Sequence, residues 1–230
     1  LIKNFQKFLF TKMDFRKFFL NLKVKEINKF FLFLPLLFYF GKRSLISYDE
    51  GFYALQAKWI LENNNWIAPL WWGNISLDRT IGIQYLIALS QKIFGNHFFA
   101  IYFPSIVASS LILYLTSIIQ KELLDSKNYL AGSIILASTF LWINYSNLAT
   151  QDTIFCSIVT LGIFALIKSI KTKNNIFLFI SGVWIGLGFM MKTFLIFIPV
   201  IASIPILIRW EIAKNKFFWI GVMIGFIPFT

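Results

Sequence analysis

Long apolar runs alternate with short polar segments along most of the chain. A helix needs about 20 apolar residues to cross a bilayer, and it satisfies its own backbone polar groups there. The runs therefore predict an all-α polytopic bundle with about seven transmembrane helices, one for each long run. The predicted spans cover residues 29–46, 98–119, 128–146, 152–169, 175–192, 193–209 and 216–230.

The long connection between the first two spans, residues 42–97, has a pattern of its own. Its segments "GFYALQAKWILENN" and "IGIQYLIALSQKIFG" predict two amphipathic helices that lie in the membrane interface rather than crossing it. The first helix is predicted to place five apolar side chains on one face: Phe52, Leu55, Ala57, Trp59 and Ile60. Indole rings prefer the headgroup level, where we expect three further residues: Trp66, Trp71 and Trp72.

The composition excludes a soluble globular domain. Hydrophobic residues make up 58% of the chain and charged residues 14%, against about 45–50% and about 25% in soluble domains. The net charge of +12 would suit a nucleic-acid partner, but eight of the 22 Lys and Arg residues lie in the first 29 positions. We interpret residues 1–28 as a basic cytoplasmic arm attracted to anionic lipid. A solvated tail without a specific role is the alternative.

Lys and Arg are distributed unequally between the two ends of the predicted helices. They occur in the connections at residues 121–127, 168–173 and 209–216, whereas "NYSNLATQ" has none and the turn between the fifth and sixth spans has only Lys192. Cytoplasmic loops carry the excess of positive charge. The pattern therefore predicts a multi-pass protein of the inner (plasma) membrane, with a cytoplasmic N-terminus and with residues 42–97 on the outer face.

The rest of the chain, residues 29–230, is expected to form one transmembrane domain. It ends inside an apolar run, so we expect it to be incomplete at its C-terminus. A single cysteine, Cys156, excludes a disulfide within the chain and a Cys-x-x-Cys metal site. The sequence predicts no metal site and no certain cofactor, and a divalent cation stays open.

Charged residues at the outer ends of the spans are the candidate functional groups. Asp49 and Glu50 follow the first span, Asp152 begins the fourth and Lys192 ends the fifth. A charge this close to hydrocarbon is costly and marks a functional site, unless it only extends to the interface. Adjacent residues on a helix point about 100° apart, so we expect one carboxylate of the pair to be chemical and the other structural. Alternatively, the pair only caps the helix that begins at Gly51.

Several motifs in this region occur together, in the same order, in a known family. They are "YDEGFYALQAKWILENNNWIAPLWWGN", "LDRTIGIQYLIALSQKIFG", "HFFAIYFPSIVASSLI", "ATQDTIFCSIVTLGIFAL" and "SGVWIGLGFMMKTF". Over about residues 29–209 the chain resembles the GT-C glycosyltransferases that use polyprenyl-phosphate sugars. Within that group it is similar to the aminoarabinose lipid A transferases and to the dolichyl-phosphate-mannose protein mannosyltransferase-like family (glycosyltransferase family 39-like). The matching positions are Asp49, Glu50, Tyr53, Trp66, Pro69, Gly73, Arg79, Gly95, Asp152 and Lys192.

The chain departs from the family's pattern at two places. The family usually has Lys-Pro-Pro where this chain has Arg79, Thr80 and Ile81. It commonly has a basic residue where this chain has Tyr102 and Phe103. The first departure concerns the binding of a donor phosphate, and the second indicates a divergent subfamily.

The resemblance implies transfer of a sugar, with inversion, from a polyprenyl-phosphate donor to a hydroxyl or phosphate at the outer face. The acceptor would be a lipid, a glycan or a protein, as in lipid A modification or protein mannosylation. Asp49 would be the general base, and Arg79 and Lys192 would stabilise the leaving phosphate. Glu50 and Asp152 would orient the acceptor or balance these cations. The predicted catalytic residues are thus Asp49, Glu50 and Asp152, and the predicted substrate-binding residues are Tyr53, Asp78, Arg79 and Lys192.

Two other functions stay open on the sequence alone. One is a transporter or flippase for a lipid or a solute, and the other is a non-catalytic membrane subunit. Transporters of this kind often have inverted repeats and paired spans that are broken by Gly or Pro. The sequence has neither pattern, which favours the glycosyltransferase. The identities of the sugar and of the acceptor stay open.

Overall fold

The computed structural model describes residues 34–37, 44–67, 70–76, 79–124, 129–209 and 211–227. These residues form a helical bundle with one small antiparallel hairpin. The predicted arm at residues 1–28, most of the first predicted span and Asp78 lie outside the described residues.

The secondary structure follows the chain from the loop after the first span to the last apolar run. The helices are α1 (Glu50–Asn63), α2 (Gly82–Phe94), α3 (Phe98–Leu124), α4 (Ala131–Ala137), α5 (Phe140–Tyr145), α6 (Gln151–Thr172), α7 (Asn175–Lys192), α8 (Phe197–Arg209) and α9 (Lys216–Phe226). Residues 34–37 are also helical. Two short 3-10 helices, Thr193–Ile196 and Ile212–Lys214, connect α7 to α8 and α8 to α9. The hairpin consists of β1 (Leu70–Trp71) and β2 (Asn74–Ile75).

Three stretches of the described chain are long and apolar enough to cross a bilayer. They are α3, α6 and the stretch Asn175–Arg209, which contains α7, a 3-10 helix and α8. The last helix, α9, is apolar but shorter. These stretches support the predicted transmembrane helical bundle, whereas the predicted number of spans stays a prediction.

The predicted break between the fifth and sixth spans is present. α7 ends at Lys192, and Thr193 has a φ of 38°, whereas an α-helix needs a φ near −60°. Leu178 near the start of α7 and Leu207 near the end of α8 belong to one buried cluster. The chain therefore reverses its direction between the two helices, directly after Lys192.

The predicted span at residues 128–146 is not one helix. α4 and α5 are 7 and 6 residues long, so neither crosses a bilayer alone. Between them Thr139 is extended, and its hydroxyl accepts a hydrogen bond from Trp142 N at 3.3 Å. Such side-chain caps compete with a continuous helix, and an apolar pattern does not record them. The prediction of a single continuous helix is wrong here.

The two predicted helices of the long connection are confirmed as α1 and α2, and they form a core with the beginning of α3. α1 packs on α2, and α2 packs on α3. Among the fully buried side chains of this core are Ile60, Ile83, Ile87, Tyr102 and Ile106. The position of this core relative to the membrane interface stays a prediction.

The face of α1 that is buried in the protein only partly coincides with the apolar side that the sequence predicts. It carries Glu50, Tyr53, Gln56, Ala57 and Ile60. The remaining members of the predicted face are only partly buried: Phe52, Leu55 and Trp59. Two of its buried residues are polar, and Gln56 accepts a hydrogen bond from the Gln84 side chain at 2.8 Å. An apolar pattern assigns such polar residues to the surface, and for this reason it does not mark them as part of the buried face.

The hairpin between α1 and α2 was not predicted. Leu70 pairs with Ile75, and Trp71 pairs with Asn74. The two turn residues, Trp72 and Gly73, both have a positive φ, of 51° and 81°, as a type I′ turn requires. Trp72 is 76% exposed at the tip. Its predicted place at the headgroup level stays a prediction.

α7 and α9 pack so closely that only glycine fits between their backbones. A Cβ atom at Gly186 would lie 2.2 Å from the carbonyl carbon of Gly225, and one at Gly182 would lie 2.1 Å from Phe218 O. Glycines spaced by four residues are the usual means by which membrane helices approach each other. This contact holds α9 against α7, whose last residue is Lys192.

Candidate active site

Arg79 is the centre of the first group of predicted site residues. Its Nη1 donates to Asp49 Oδ1 and to Tyr53 Oη, both at 2.8 Å. Its guanidinium also lies over the rings of Phe52 and Tyr53, at 5.3 and 5.1 Å from their centroids. Asp49 immediately precedes α1 and Tyr53 follows one turn later, so the helix presents both groups to the same cation. The Asp49 side chain is 54% exposed and can be reached from solvent.

The electrostatics of this group keep Arg79 charged and Tyr53 neutral. The hydrogen bond to Asp49 raises the pKa of Arg79, and the hydrogen bond to Tyr53 raises it further. Burial raises the pKa of Tyr53, and the carboxylates of Asp49 and Asp152 add to that effect while Arg79 lowers it. Asp152 belongs to α6, so a carboxylate of a second helix acts on Tyr53, the hydrogen-bond partner of Arg79.

Arg79 retains donors for a ligand. A guanidinium has five N–H donors, and both hydrogen bonds of Arg79 come from Nη1. Its Nε and Nη2 atoms donate no hydrogen bond to any residue that the structure describes. These two atoms form one edge of the guanidinium, which fits two oxygens of a phosphate.

Lys192 and Asp152 form the second group. The Lys192 ammonium donates a hydrogen bond to Asp152 Oδ1, and the two side chains form an ion pair. Asp152 lies in the first turn of α6, where the helix dipole favours a carboxylate. Lys192 is the last residue of α7. The ion pair therefore joins the beginning of α6 to the end of α7.

A small polar junction joins the two groups. The Thr80 hydroxyl donates to Met191 O at 2.6 Å, and Gln151 Nε2 donates to the Thr80 hydroxyl at 3.0 Å. Thr80 follows Arg79, Gln151 precedes Asp152 and Met191 precedes Lys192 in the sequence. The junction therefore brings five of the predicted residues to one end of the bundle: Asp49, Tyr53, Arg79, Asp152 and Lys192.

Glu50 has different surroundings from Asp49. Its side chain is fully buried. One carboxylate oxygen accepts from Ile46 N at 2.8 Å and from Tyr102 Oη at 3.2 Å, and the other accepts from Ala149 N at 2.9 Å. Glu50 thus joins the entry to α1 with α3 and with the segment before α6. These contacts support a structural role, and its predicted part in catalysis stays a prediction.

Two predictions find no test in the structure. Asp78 lies outside the described residues, so its predicted substrate contact stays a prediction. Among the residues that the structure describes, no three His, Cys, Asp or Glu side chains are grouped as metal ligands would be. The question of a divalent cation stays open.

Sequence reasoning did not assign a role to three residues that connect the site. The family's pattern marks Thr80 and Tyr102 only as departures, and it gives no signal for Gln151 beside Asp152. Their signal is weak but physical: each is a polar residue next to, or inside, an apolar segment, where polar groups are hydrogen-bonded when buried. Their partners include backbone atoms, which leave no signature in a sequence.

The comparisons with known proteins concern the family and the fold of the chain. The family described as dolichyl-phosphate-mannose-protein mannosyltransferase matches residues 78–230. Asp49, Glu50 and Tyr53 lie before the matched range. An undecaprenyl phosphate-alpha-4-amino-4-deoxy-L-arabinose arabinosyl transferase of Pseudomonas savastanoi pv. phaseolicola is 27% identical, over 71% of this chain and 31% of the relative. A protein of the same name from Pseudomonas aeruginosa is 28% identical, over 71% of this chain and 31% of the relative.

Two solved structures have the same fold. ArnT from Cupriavidus metallidurans bound to undecaprenyl phosphate superimposes with a TM-score of 0.74, at 10% identity, over 89% of this chain and 39% of that one. The apo state of the same protein gives a TM-score of 0.64, over 89% and 38%. The chain thus covers 31% of the first relative and 39% of the first solved structure, less than half of either. Because the family match covers most of the sequence, the chain belongs to the dolichyl-phosphate-mannose-protein mannosyltransferase family.

Proposed function

We propose that this chain is part of an integral-membrane glycosyltransferase that moves a sugar from a polyprenyl-phosphate carrier to an acceptor. The observation that carries the proposal is the pairing of two cations and two carboxylates at one end of the bundle, joined through Thr80. The names of the relatives, which are arabinosyl transferases, support the reaction class. The name of the structural neighbour, bound to undecaprenyl phosphate, supports the donor class.

The two cations take the phosphate side of the reaction. As the bond between the sugar and the phosphate breaks, the phosphate leaves with the electron pair and gains negative charge. Fixed cations stabilise that charge because they need no reorganisation during the reaction. Arg79 offers its Nε and Nη2 edge, and Lys192 offers its ammonium. Tyr53 and Asp49 orient Arg79, while Asp152 orients Lys192.

Asp49 takes the acceptor side. A sugar hydroxyl is a weak nucleophile, and a carboxylate within hydrogen-bond reach can accept its proton during the attack. The hydroxyl oxygen then forms a bond to the anomeric carbon from the face opposite the phosphate, which inverts that carbon. A phosphate acceptor oxygen is already ionised and would not need a general base. Asp49 is suited to this role because its side chain is exposed, whereas Glu50 is enclosed.

The site belongs on the outer face of the inner membrane in this proposal. The excess of Lys and Arg in alternate connections supports a cytoplasmic N-terminus, with residues 42–97 outside. The carrier's tail would lie among the apolar helices with its phosphate at the helix ends, and the acceptor would approach from the aqueous side. The class of acceptor, whether lipid, glycan or protein, belongs to the test below.

The test uses the full-length protein, reconstituted in liposomes with radiolabelled polyprenyl-phosphate sugars and with lipid A, glycan or peptide acceptors. Replacing Lys192 by Met nearly keeps the length of the side chain and removes its charge. We expect kcat to fall by about 100-fold, as when one charge-stabilising donor is removed from an active site. The matched control is Lys58→Met, since Lys58 lies on an exposed part of α1 and pairs only weakly with Glu62.

The two failures of this experiment have different meanings. Equal transfer by Lys192→Met and by the unmodified protein would remove Lys192 from the chemistry. Absence of transfer by the unmodified protein from every polyprenyl-phosphate sugar would contradict the proposed function itself.

A further inference from the structure

The Thr80 hydroxyl occupies an unusual place, because three separate elements meet at it. It donates to Met191 O in α7 and accepts from Gln151 Nε2 in α6, while its own backbone leads into α2. The Gln151 amide also donates to Thr80 O at 3.1 Å. A carbonyl only accepts and an amide N–H only donates, so the direction of each bond is determined.

The end of α7 needs a partner of this kind. The last four carbonyls of a helix have no N–H donor within the helix. Met191 O is one of these four carbonyls. The chain turns directly after this carbonyl, because Thr193, a β-branched residue, has a φ of 38°, which is rare for such residues. Thr80 therefore satisfies a carbonyl at the point where the chain turns sharply.

The segment that contains Thr80 also lies close to α7 over more than one residue. A Cβ atom at Gly82 would lie 2.7 Å from Met191 Sδ and 3.0 Å from Met190 O. The backbone of residues 80–82 is thus in direct contact with the last turn of α7. A shift of residues 80–82 would therefore move Arg79, and a shift of the last turn of α7 would move Lys192.

We infer that Thr80 is a positioning residue, whose hydroxyl fixes Arg79 relative to Lys192 so that both cations bind the phosphate of one lipid-linked donor. This inference rests on the proposed function. Thr80 itself touches no reacting atom. It acts by holding the entry to α2 against the ends of α6 and α7, each of which carries a charged residue next to the contact.

The direct test measures the binding of undecaprenyl phosphate, and separately of uncharged undecaprenol, to the full-length protein in nanodiscs. Thr80→Val removes the hydroxyl and nearly keeps the shape, whereas Thr80→Ser keeps the hydroxyl. We expect Thr80→Val to weaken the binding of undecaprenyl phosphate by about tenfold, as for the loss of one or two hydrogen bonds. Thr80→Ser should stay within about twofold, and the binding of undecaprenol should not change in either variant.

The matched control is Thr160→Val in α6. The Thr160 hydroxyl donates to Cys156 O at 2.7 Å within the same helix, so this variant loses a similar hydrogen bond away from the junction. If Thr80→Val fails to fold, Gln151→Met removes the other side of the junction and should weaken undecaprenyl phosphate binding by a few-fold. Equal binding by Gln151→Met and the unmodified protein would then overturn the inference.

A double-mutant cycle distinguishes positioning from a general structural role. If Thr80 acts through the pair of cations, Thr80→Val should change the binding of undecaprenyl phosphate by less than about twofold once Lys192 is replaced by Met. Additive effects, or an equal loss of undecaprenol binding, would overturn the inference and leave the proposed function standing. If the unmodified protein binds no undecaprenyl phosphate, the proposed function fails, and the inference fails with it.

Discussion

Asp49 and Glu50, at the beginning of α1, differ in exposure and therefore in the roles that we assign to them. Asp49 is half-exposed and contacts the guanidinium of Arg79, whereas Glu50 is enclosed and accepts hydrogen bonds from two backbone amides and the Tyr102 hydroxyl. A buried carboxylate is stable only when its oxygens are paired. Glu50 therefore holds the entry to α1 in place, and the exposed part of Asp49 can be reached by a substrate.

Replacing Glu50 by Gln tests this division. The amide keeps the shape but weakens the bonds from Ile46 N and Ala149 N, and its NH₂ group faces a backbone donor. We expect the free energy of unfolding to fall by about 2–3 kcal/mol, because hydrogen bonds to a charged group contribute about that much. A thermal unfolding experiment in detergent measures the change.

The control for Glu50→Gln is Glu62→Gln, at the other end of α1. Glu62 forms an exposed i,i+4 pair with Lys58 at 3.5 Å, and such pairs contribute at most about 0.5 kcal/mol. Equal stability of the two variants would show that the contacts of Glu50 are not structural.

The charged members of the site could be predicted from the sequence, but the junction that aligns them could not. Charges at the ends of apolar runs are costly, so Asp49, Asp152 and Lys192 stand out without a structure. Thr80 and Gln151 are ordinary polar residues of loops and helix starts. Some of their hydrogen-bond partners are backbone carbonyls. Every residue has such a carbonyl, so the sequence does not indicate which one is the partner.

Helices in this chain obey two different rules for packing. α1 and α2 pack through large apolar side chains and a buried pair of glutamines. α7 and α9 pack through glycines that let their backbones approach closely, the arrangement by which helices associate in lipid. The length of an apolar run predicts that such helices exist, but it does not predict which face is buried, as the face of α1 showed.

The glycine contact between α7 and α9 leads to a prediction. In Gly186→Ala the added methyl group would meet the Gly225 backbone at 2.2 Å, so the two helices must move apart. Overpacking of this kind costs about 1–3 kcal/mol, and we expect a lower midpoint of thermal unfolding. Because α7 carries Lys192, the binding of undecaprenyl phosphate should weaken as well.

The control for Gly186→Ala is Gly51→Ala. A Cβ atom at Gly51 would lie 3.5 Å from Ile46 O, an ordinary contact, and alanine favours a helix by about 0.5–1 kcal/mol over glycine. Gly51→Ala should therefore be as stable as the unmodified protein or more so. If Gly186→Ala behaves in the same way, α7 and α9 do not pack as described.

The whole molecule presents its charged site at one end of the bundle, and the topology decides which side of the membrane that end faces. Residues 42–97 and the end of α7 meet at the site, so they must lie on the same side. The break of α7 at Lys192 and the interruption of the 128–146 region come from single polar or strained residues. The sequence pattern predicts the break at Lys192 because a charged residue interrupts the apolar run. It does not predict the interruption at Thr139, which comes from a hydrogen bond between the side chain and the backbone.

Cysteine labelling tests the orientation. In a Cys156→Ser background, Asn74→Cys at the exposed hairpin should react with a membrane-impermeant maleimide from outside intact cells. Lys173→Cys, at the exposed opposite end of α6, should react only after the cells are opened. Labelling of Lys173→Cys from outside would place the predicted cytoplasmic end on the wrong side.

The central claim is that Asp49 accepts the proton of the attacking hydroxyl, and one variant tests it most directly. Asp49→Asn in the full-length protein, reconstituted with its polyprenyl-phosphate sugar, keeps an oxygen for Arg79 but loses the base. We predict that transfer falls by about 10²–10⁴-fold while undecaprenyl phosphate still binds, and that Glu62→Gln transfers normally. Transfer at the normal rate by Asp49→Asn would contradict the claim.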